Sequence, residues 1–290
     1  MSDAAGGTGG RLFVVATPIG NLADVTIRAL EVLRTVPLIA AEDTRIARRL
    51  LDRHGIATRL VSFHAQSGPG RLAELLAHLR GGADLAVVTD AGTPAVSDPG
   101  EELVSAWAAE SGAVVPIPGA SAVLAAVAGS GVAGPRWTFE GFLPRSGRDR
   151  RDRLARIARD ERGCVVYEAP ARVAATLADL ATACGEARPA AVARELTKLH
   201  EEIVRGSLGR LAAQARSGEL TLRGEFAIVI GWWPPAATPD ERSVAGDEAD
   251  ALAEVERRVA GGAARGEAVR AVAAETGIAR RRLYRVASGS

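Results

Sequence analysis

Lysine is almost missing from this sequence: Lys198 stands alone beside 35 arginines. With the abundant alanine, that skew is what a GC-rich coding bias produces. Cysteine is scarce as well, and Cys164 and Cys184 cannot build a disulfide framework. The four histidines, His54, His64, His78 and His200, are scattered without metal-ligand spacing, so no metal is expected. No apolar run reaches the roughly 18–20 residues that cross a bilayer. Met1–Gly10 lacks a basic region ahead of an apolar one, so no secretory signal is expected. Net charge is only +1, which speaks against crude electrostatic binding of nucleic acid over the whole surface. The expectation is a soluble cytoplasmic protein with no membrane contact.

Several motifs are missing too. There is no G-x-x-x-x-G-K-[ST] and no H-E-x-x-H, and Gly119-Ala120-Ser121-Ala122 is not a G-x-S-x-G elbow. Gly6–Gly10 looks like a phosphate loop but precedes the first strand instead of following one, so residues 1–10 read as a disordered tail.

What is present is an alternation of short apolar runs with helical patterns. Arg11–Ala16, Val36–Ala41, Leu60–Phe63, Leu85–Thr89 and Val114–Ile117 read as strands. Helices fall between them, the first capped by Asp24 or Thr26. A second series follows, from Thr138–Phe142 to Phe226–Ile230. The pattern predicts an α/β protein with a largely parallel sheet, its strands covered on both faces. The predicted organisation is an α/β domain over 11–118, a second over 119–233, a Pro-rich linker over 234–244 and a helical segment over 245–290.

Ligands of open α/β sheets bind outside the carboxyl ends of the strands. Three Gly/Pro-rich segments stand there: Thr17–Asn21, Thr89–Gly100 and Pro116–Ala122. Taken singly each is only a turn; together they predict a ligand cleft. Asp90 and Asp98 are carboxylates suited to a cation or ribose hydroxyls, unless Asp98 merely caps a helix.

Eight segments then stand in a telling order: ATPIGN, AEDTR (Ala41–Arg45), TDAGTPAVSDPG, PIPGASA, EGFLPR (Glu140–Arg145), YEAP-AR (Tyr167–Arg172), ARELTKLHEE (Ala193–Glu202) and GEFAIVI (Gly224–Ile230). From about 11 to 288 the chain resembles the tetrapyrrole-methylase superfamily, and within it the branch that methylates small-subunit ribosomal RNA. The resemblance implies two α/β domains with S-adenosylmethionine between them. It also implies a homodimer and 2′-O-methylation of a cytidine ribose in the decoding region of 16S rRNA. It places the donor at Pro18, Asp90, Ala91-Gly92-Thr93-Pro94, Val96 and Ser121-Ala122. From the second domain it adds Tyr167, Glu168, Ala193-Arg194 and Gly224-Glu225, largely through backbone groups.

A sulfonium carries an already activated methyl group, so transfer requires no metal. The ribose hydroxyl must be aligned behind it; either a positioned base assists or alignment alone suffices. The candidates are Glu42, Asp43 and Arg45 in one segment, and Glu195 and Lys198 in another. Lysine, unlike arginine, can be tuned to deprotonate; the alternative is that Lys198 pairs with Glu195, Glu201 or Glu202. Asp43 could equally cap the helix at Thr44.

Charge is patchy along the chain. Arg145–Arg162 holds eight arginines against four acids, Arg265–Arg285 six against two, and the intervening Asp240–Glu256 seven acids against one arginine. Arg45, Arg145, Arg148, Arg150 and Arg151 are candidates for RNA phosphates, unless the Arg-rich helix is a solvated face with pairs such as Asp149–Arg153. At the C-terminus, a helix over Glu267–Ala274, a turn at Thr276–Ile278 and a helix over Ala279–Ala287 resemble a helix-turn-helix. That second helix carries Arg280, Arg281, Arg282 and Arg285. The competing functions are a tetrapyrrole C-methyltransferase and a non-catalytic RNA-binding assembly factor.

Overall fold

The apolar runs assemble into two five-stranded sheets. The computed structural model describes residues 9–95, 100–233, 239–276, 278, 280 and 283, with the backbone alone for 239–249. The first sheet contains β1 (Leu12–Val15), β2 (Leu38–Ala41), β3 (Arg59–Ser62), β4 (Leu85–Val88) and β5 (Val114–Ile117). Its order is β3-β2-β4-β1-β5 and every pairing is parallel. Helices α1 (Ile27–Thr35), α2 (Thr44–Arg53), α3 (Pro69–Arg80) and α4 (Glu101–Ala109) connect the strands. Side chains alternate between faces along a strand. Leu12, Val14, Leu85 and Val87 therefore join a core with Leu75, Leu79 and Trp107 of α3 and α4, while Phe13, Val15, Ala86 and Val88 join one with Leu33 and Leu51 of α1 and α2. Thr26, not Asp24, caps α1: its hydroxyl accepts from Ala29 N at 3.1 Å. The tail predicted over 1–10 ends sooner. Gly10 is buried and donates to Leu79 O at 2.7 Å, and a Cβ there would overlap the backbone of Ala83. Residues 1–8 lie outside the described residues.

The passage to the second sheet runs through Pro118–Ser121 into α5 (Ala122–Ser130). The sheet comprises β6 (Trp137–Phe142), β7 (Gly163–Glu168), β8 (Pro189–Arg194), β9 (Glu202–Ser207) and β10 (Phe226–Ile230), in the order β6-β7-β10-β8-β9. Here the expected parallel arrangement fails. Only β6–β7 is parallel; β7–β10, β10–β8 and β8–β9 are antiparallel. An unbroken apolar run reports that both faces are covered, and it does not report the direction of its neighbours. Phe226, Ile228 and Ile230 pack with α6 (Gly147–Arg159), α7 (Val173–Cys184) and α8 (Leu208–Ser217), whereas Ala227 and Val229 pack with Val123 and Ala126 of α5. Both sheets lie in one compact unit, Met1–Trp233.

Arg188, just before β8, is 2 % exposed and has no carboxylate partner among the described residues. Its guanidinium instead donates to four backbone carbonyls: Gly231 O at 3.0 Å, Ile157 O at 3.2 Å, Asp160 O at 3.0 Å and Arg162 O at 2.9 Å. These belong to the end of α6, the approach to β7 and the exit from β10. One fork thus ties three chain segments together, and two of its acceptors, Ile157 O and Asp160 O, lie at the C-terminal end of α6, where partial negative charge gathers.

Pro234–Ser290 forms a separate unit. In it α9 (Pro239–Ala260) and α10 (Arg265–Thr276) pack through Ala251, Val255, Ala268, Val269 and Val272, with Leu283. The linker predicted over 234–244 is shorter, because α9 begins at Pro239; proline suits the first helical position, where no N–H is needed. Of the predicted helix over 279–287 only Arg280, exposed, and Leu283, buried, are described. Arg281, Arg282 and Arg285 lie outside the described residues.

Replacing Arg188 by Met leaves buried carbonyls without donors, each costing roughly 1–3 kcal/mol. The expected loss for Arg188→Met is about 3 kcal/mol or more, read as a lower denaturant midpoint of the two-sheet unit; an unchanged midpoint would contradict the staple.

Candidate functional site

A cavity of about 350 Å³ opens between the two sheets. Small drug-sized ligands occupy pockets upward of about 300 Å³. The first sheet contributes Ile19 from the turn after β1, Ala91-Gly92-Thr93 from the segment after β4, and Ser121-Ala122 from the start of α5. The second contributes Phe142 at the end of β6, Tyr167–Pro170 at the end of β7, Ala193 and Leu196 around the end of β8, and Gly224–Ala227 at the start of β10. Ten of the residues placed at the ligand from sequence therefore share one wall. Pro18, Asp90, Pro94 and Arg194 are outside it, and Val96 lies outside the described residues. Ile19, Phe142, Ala169, Pro170, Leu196, Phe226 and Ala227 were missed, although all stand inside the motifs already quoted.

Hydrogen bonds fix the first-sheet side. Thr17 N donates to Gly92 O at 2.8 Å, Gly92 N returns to Thr17 O at 3.1 Å, and the Thr17 hydroxyl donates to Thr89 O at 3.0 Å. Both backbone groups of Gly92 are thus engaged with Thr17. What Gly92 offers a ligand is the space of its absent side chain, at φ +83°, with a hypothetical Cβ 3.4 Å from Ile19. Ser121 caps α5, its hydroxyl accepting from Leu124 N at 3.5 Å.

Of the residues proposed as bases, Lys198, Glu195 and Asp43 are held as ions, while Glu42 Oε2 accepts from Asp90 N at 3.2 Å. Lys198 Nζ donates to Glu195 Oε1 at 2.9 Å and Glu225 Oε2 at 3.0 Å. Burial works against the ammonium, but those two carboxylates outweigh it and the Lys198 pKa is raised. The Lys198 hydrogen bond holds Glu195 below the usual carboxylate range, and the Glu225 N–H adds to it. Asp43 caps α2, accepting from Arg45 N at 2.8 Å, and its hydrogen bonds to the Arg45 guanidinium depress its pKa strongly. None of the three is poised to take a proton at neutral pH. Of the partners offered for Lys198, Glu195 is the one found, and Glu225, 27 residues away, is the one sequence did not suggest. Lys198 instead braces the cavity rim. Its stem packs where a Cβ on Gly20 would sit, and the loop it belongs to places Glu195 and Thr197 at φ +51° and +66°, rare for non-glycine residues.

Glu168 closes the floor. Its carboxylate accepts from Thr176 Oγ1 at 2.6 Å and Ala169 N at 2.9 Å and pairs with the Arg172 guanidinium, Nε at 3.2 Å, so it is consumed inside the protein. Arg150, expected at RNA, belongs to this buried network and is corrected accordingly. It donates to Thr176 Oγ1, Asp179 Oδ2 and Pro144 O, each at 2.9 Å, and its side chain is nearly inaccessible. On the same helix the i,i+4 pair is Arg148–Asp152, at 3.4 Å; Arg153 pairs with Glu140 and not with Asp149. Arg145, Arg148 and Arg151 are exposed, and Arg45 is exposed while paired with Asp43. Arg194 is tied to Glu202 at 3.2 Å.

Residues 11–212 match the family model described as tetrapyrrole (corrin/porphyrin) methylases. A ribosomal RNA small subunit methyltransferase I from Synechocystis is 47% identical over 277 residues, spanning 96% of this chain and 97% of that protein. The chain belongs to the ribosomal RNA small subunit methyltransferase I family. Solved structures show how widely the family's fold is used. A cobalt precorrin-4 methyltransferase superposes with a TM-score of 0.58 at 18% identity, covering 77% of this chain and 95% of that one. A uroporphyrin-III C-methyltransferase from Thermus thermophilus, complexed with S-adenosylhomocysteine, gives 0.54 at 18% identity, covering 77% and 97%.

Beside the cavity, Asp90 Oδ1 accepts from Asp43 N at 3.0 Å. Burial pushes the Asp90 pKa up, only partly offset by that hydrogen bond. Because the folded pKa lies above the unfolded one, the ionised carboxylate costs stability above the raised pKa and nothing below about pH 3. Asp90→Asn keeps an acceptor and removes the charge. Its melting temperature should exceed wild type at pH 7, with the gain vanishing toward pH 3; a pH-independent difference would contradict this origin.

Proposed function

We propose that the protein transfers the methyl group of S-adenosylmethionine to the ribose 2′-oxygen of a cytidine in the decoding region of 16S rRNA. The observation that carries the reading is the cavity between the two sheets, in a chain 47% identical to a ribosomal RNA small subunit methyltransferase I. The wall suits the donor. Ala91, Gly92, Ala122, Ala193 and Gly224 leave a narrow apolar slot, and the Tyr167 ring offers a flat face for a purine. When bound, the donor supplies a methyl group on a cationic sulfur, which needs only a correctly placed acceptor. Deprotonation is not assigned to Lys198, Glu195 or Asp43, because each is locked in an ion pair. The protein's contribution is alignment: the Thr17–Gly92 bridge fixes one wall and the Lys198 clamp the other.

Methyl transfer from labelled S-adenosylmethionine to 30S subunits, with the product mapped on the rRNA, tests this directly. Label on a cytidine 2′-oxygen supports the reading; label on a tetrapyrrole acceptor alone, or none on RNA, overturns it. In the same assays Gly92→Val should weaken donor binding more than tenfold by calorimetry, since valine is strained at φ +83° and fills the wall.

Arg45, Arg145, Arg148 and Arg151 are proposed as phosphate contacts, joined by Arg280 and its arginine neighbours in the helical unit, which we read as a helix-turn-helix-like module. The acids of α9 partly balance that module: Glu254 and Glu256 pair with Arg257, Arg258 and Arg265. We read the working form as a homodimer, to be checked as twice 30.0 kDa by light scattering. Removing residues 234–290 should leave donor affinity intact and weaken 30S binding with a shallower salt dependence. Equal affinity and slope would leave the unit a packing role only.

A further inference from the structure

Phe142 is at odds with its position. It lines the cavity, yet 58 % of it is exposed, where an apolar ring at a pocket usually turns inward. Its aim is built into the strand. β6 and β7 pair in register from Trp137 to Phe139, and then one extra residue intervenes: Phe139 faces Val165 but Phe142 faces Tyr167. Gly141, at φ +61°, sits in this bulge. Regular alternation would send residue 142 to the opposite face from Phe139. The bulge returns Phe142 to the cavity side, with ring centroids 5.6 Å from Tyr167, itself 4.9 Å from Phe139, while Leu143 enters the core on the other face. The backbone beyond is held from beneath. Arg172 Nη2 donates to Leu143 O at 2.8 Å and Arg150 Nη1 to Pro144 O at 2.9 Å, and both guanidinium groups belong to the buried Glu168–Thr176 network. An exposed ring is therefore held at the mouth of the cavity by the same bulge that seats Leu143 in the core.

We propose that Phe142 is a stacking platform for a nucleobase of the acceptor RNA, holding it so that the ribose of the target nucleotide lies over the cavity. This rests on the reading of RNA as the methyl acceptor. Single-stranded bases are commonly held on aromatic side chains, and one such stack is worth a substantial share of binding. An RNA base is favoured over the donor's adenine because more than half of Phe142 is open to solvent, whereas Tyr167, packed edge-on against Phe139 and Phe142, is half-buried. The positively charged helix α6 begins five residues further on, with Arg145 between, so the phosphates of a strand stacked on Phe142 have cations close by.

The test compares wild type, Phe142→Ala and Phe142→Trp. Phe142→Ala should raise the KM for 30S subunits about tenfold or more, and weaken RNA binding equally at every salt concentration. A stack releases no counterions, so the salt slope should stay at the wild-type value. Calorimetric affinity for S-adenosylhomocysteine should fall less than that for RNA, the melting temperature should not change, and Phe142→Trp should restore RNA binding. Weakened S-adenosylhomocysteine affinity with an unchanged KM would overturn the proposal in favour of the donor's adenine. An active wild type indistinguishable from Phe142→Ala would overturn it alone. A wild type that neither binds nor methylates RNA would remove the acceptor reading and this one with it.

Discussion

Both sheets bury both of their faces, and the rest of the molecule follows from that constraint. In inner strands such as β1, β2, β4 and β10, covered on two sides and apolar throughout, there is no room for chemistry along the strand, so polar residues are displaced to the ends. The cavity is the meeting of those ends: Thr17 and Gly92 from one sheet, Tyr167, Ala193 and Glu225 from the other. The floor obeys the same rule. Glu168 is the last residue of β7 and can be buried only because Thr176, Arg172 and a backbone N–H satisfy its carboxylate.

With lysine almost absent, arginine takes on work inside the protein. Among the described residues Arg188, buried, binds four carbonyls and no carboxylate; Arg205 and Arg28, although exposed, likewise reach backbone carbonyls, Ser130 O and Pro116 O, each at 2.9 Å. A planar fork that is always charged can satisfy several carbonyls at once, which a lysine ammonium does less well. A high arginine count is consequently a poor guide to surface charge in this chain, and Arg150 shows why: its neighbours Arg148 and Arg151 face solvent while it is enclosed.

What was legible in the sequence were features written in neighbouring residues. The apolar runs marked the strands, Val114–Ile117 to the residue, and the Gly/Pro segments at strand ends marked the cavity. Features depending on distant partners were not legible. The direction of β10 is set by β7 and β8, about sixty and thirty-five residues earlier in the chain. The burial of Arg150 depends on Thr176 and Asp179, and the charged state of Lys198 on Glu225. The bulge at Gly141 escaped for a related reason: it exists only relative to the register of β7. Packing of Gly10 under Ala83 was hidden because a glycine run looks the same whether loose or enclosed.

The contact between Gly20 and Lys198 constrains how this chain can change over generations. The Lys198 stem is anchored at its tip by two carboxylates, so it cannot swing aside to admit a side chain at position 20. The two positions exchange volume: any lineage that gains a methyl group at 20 must first shorten 198, and in doing so releases Glu195 and Glu225 from their shared cation. Two residues 178 positions apart, on different sheets, are thereby bound to one mutational history.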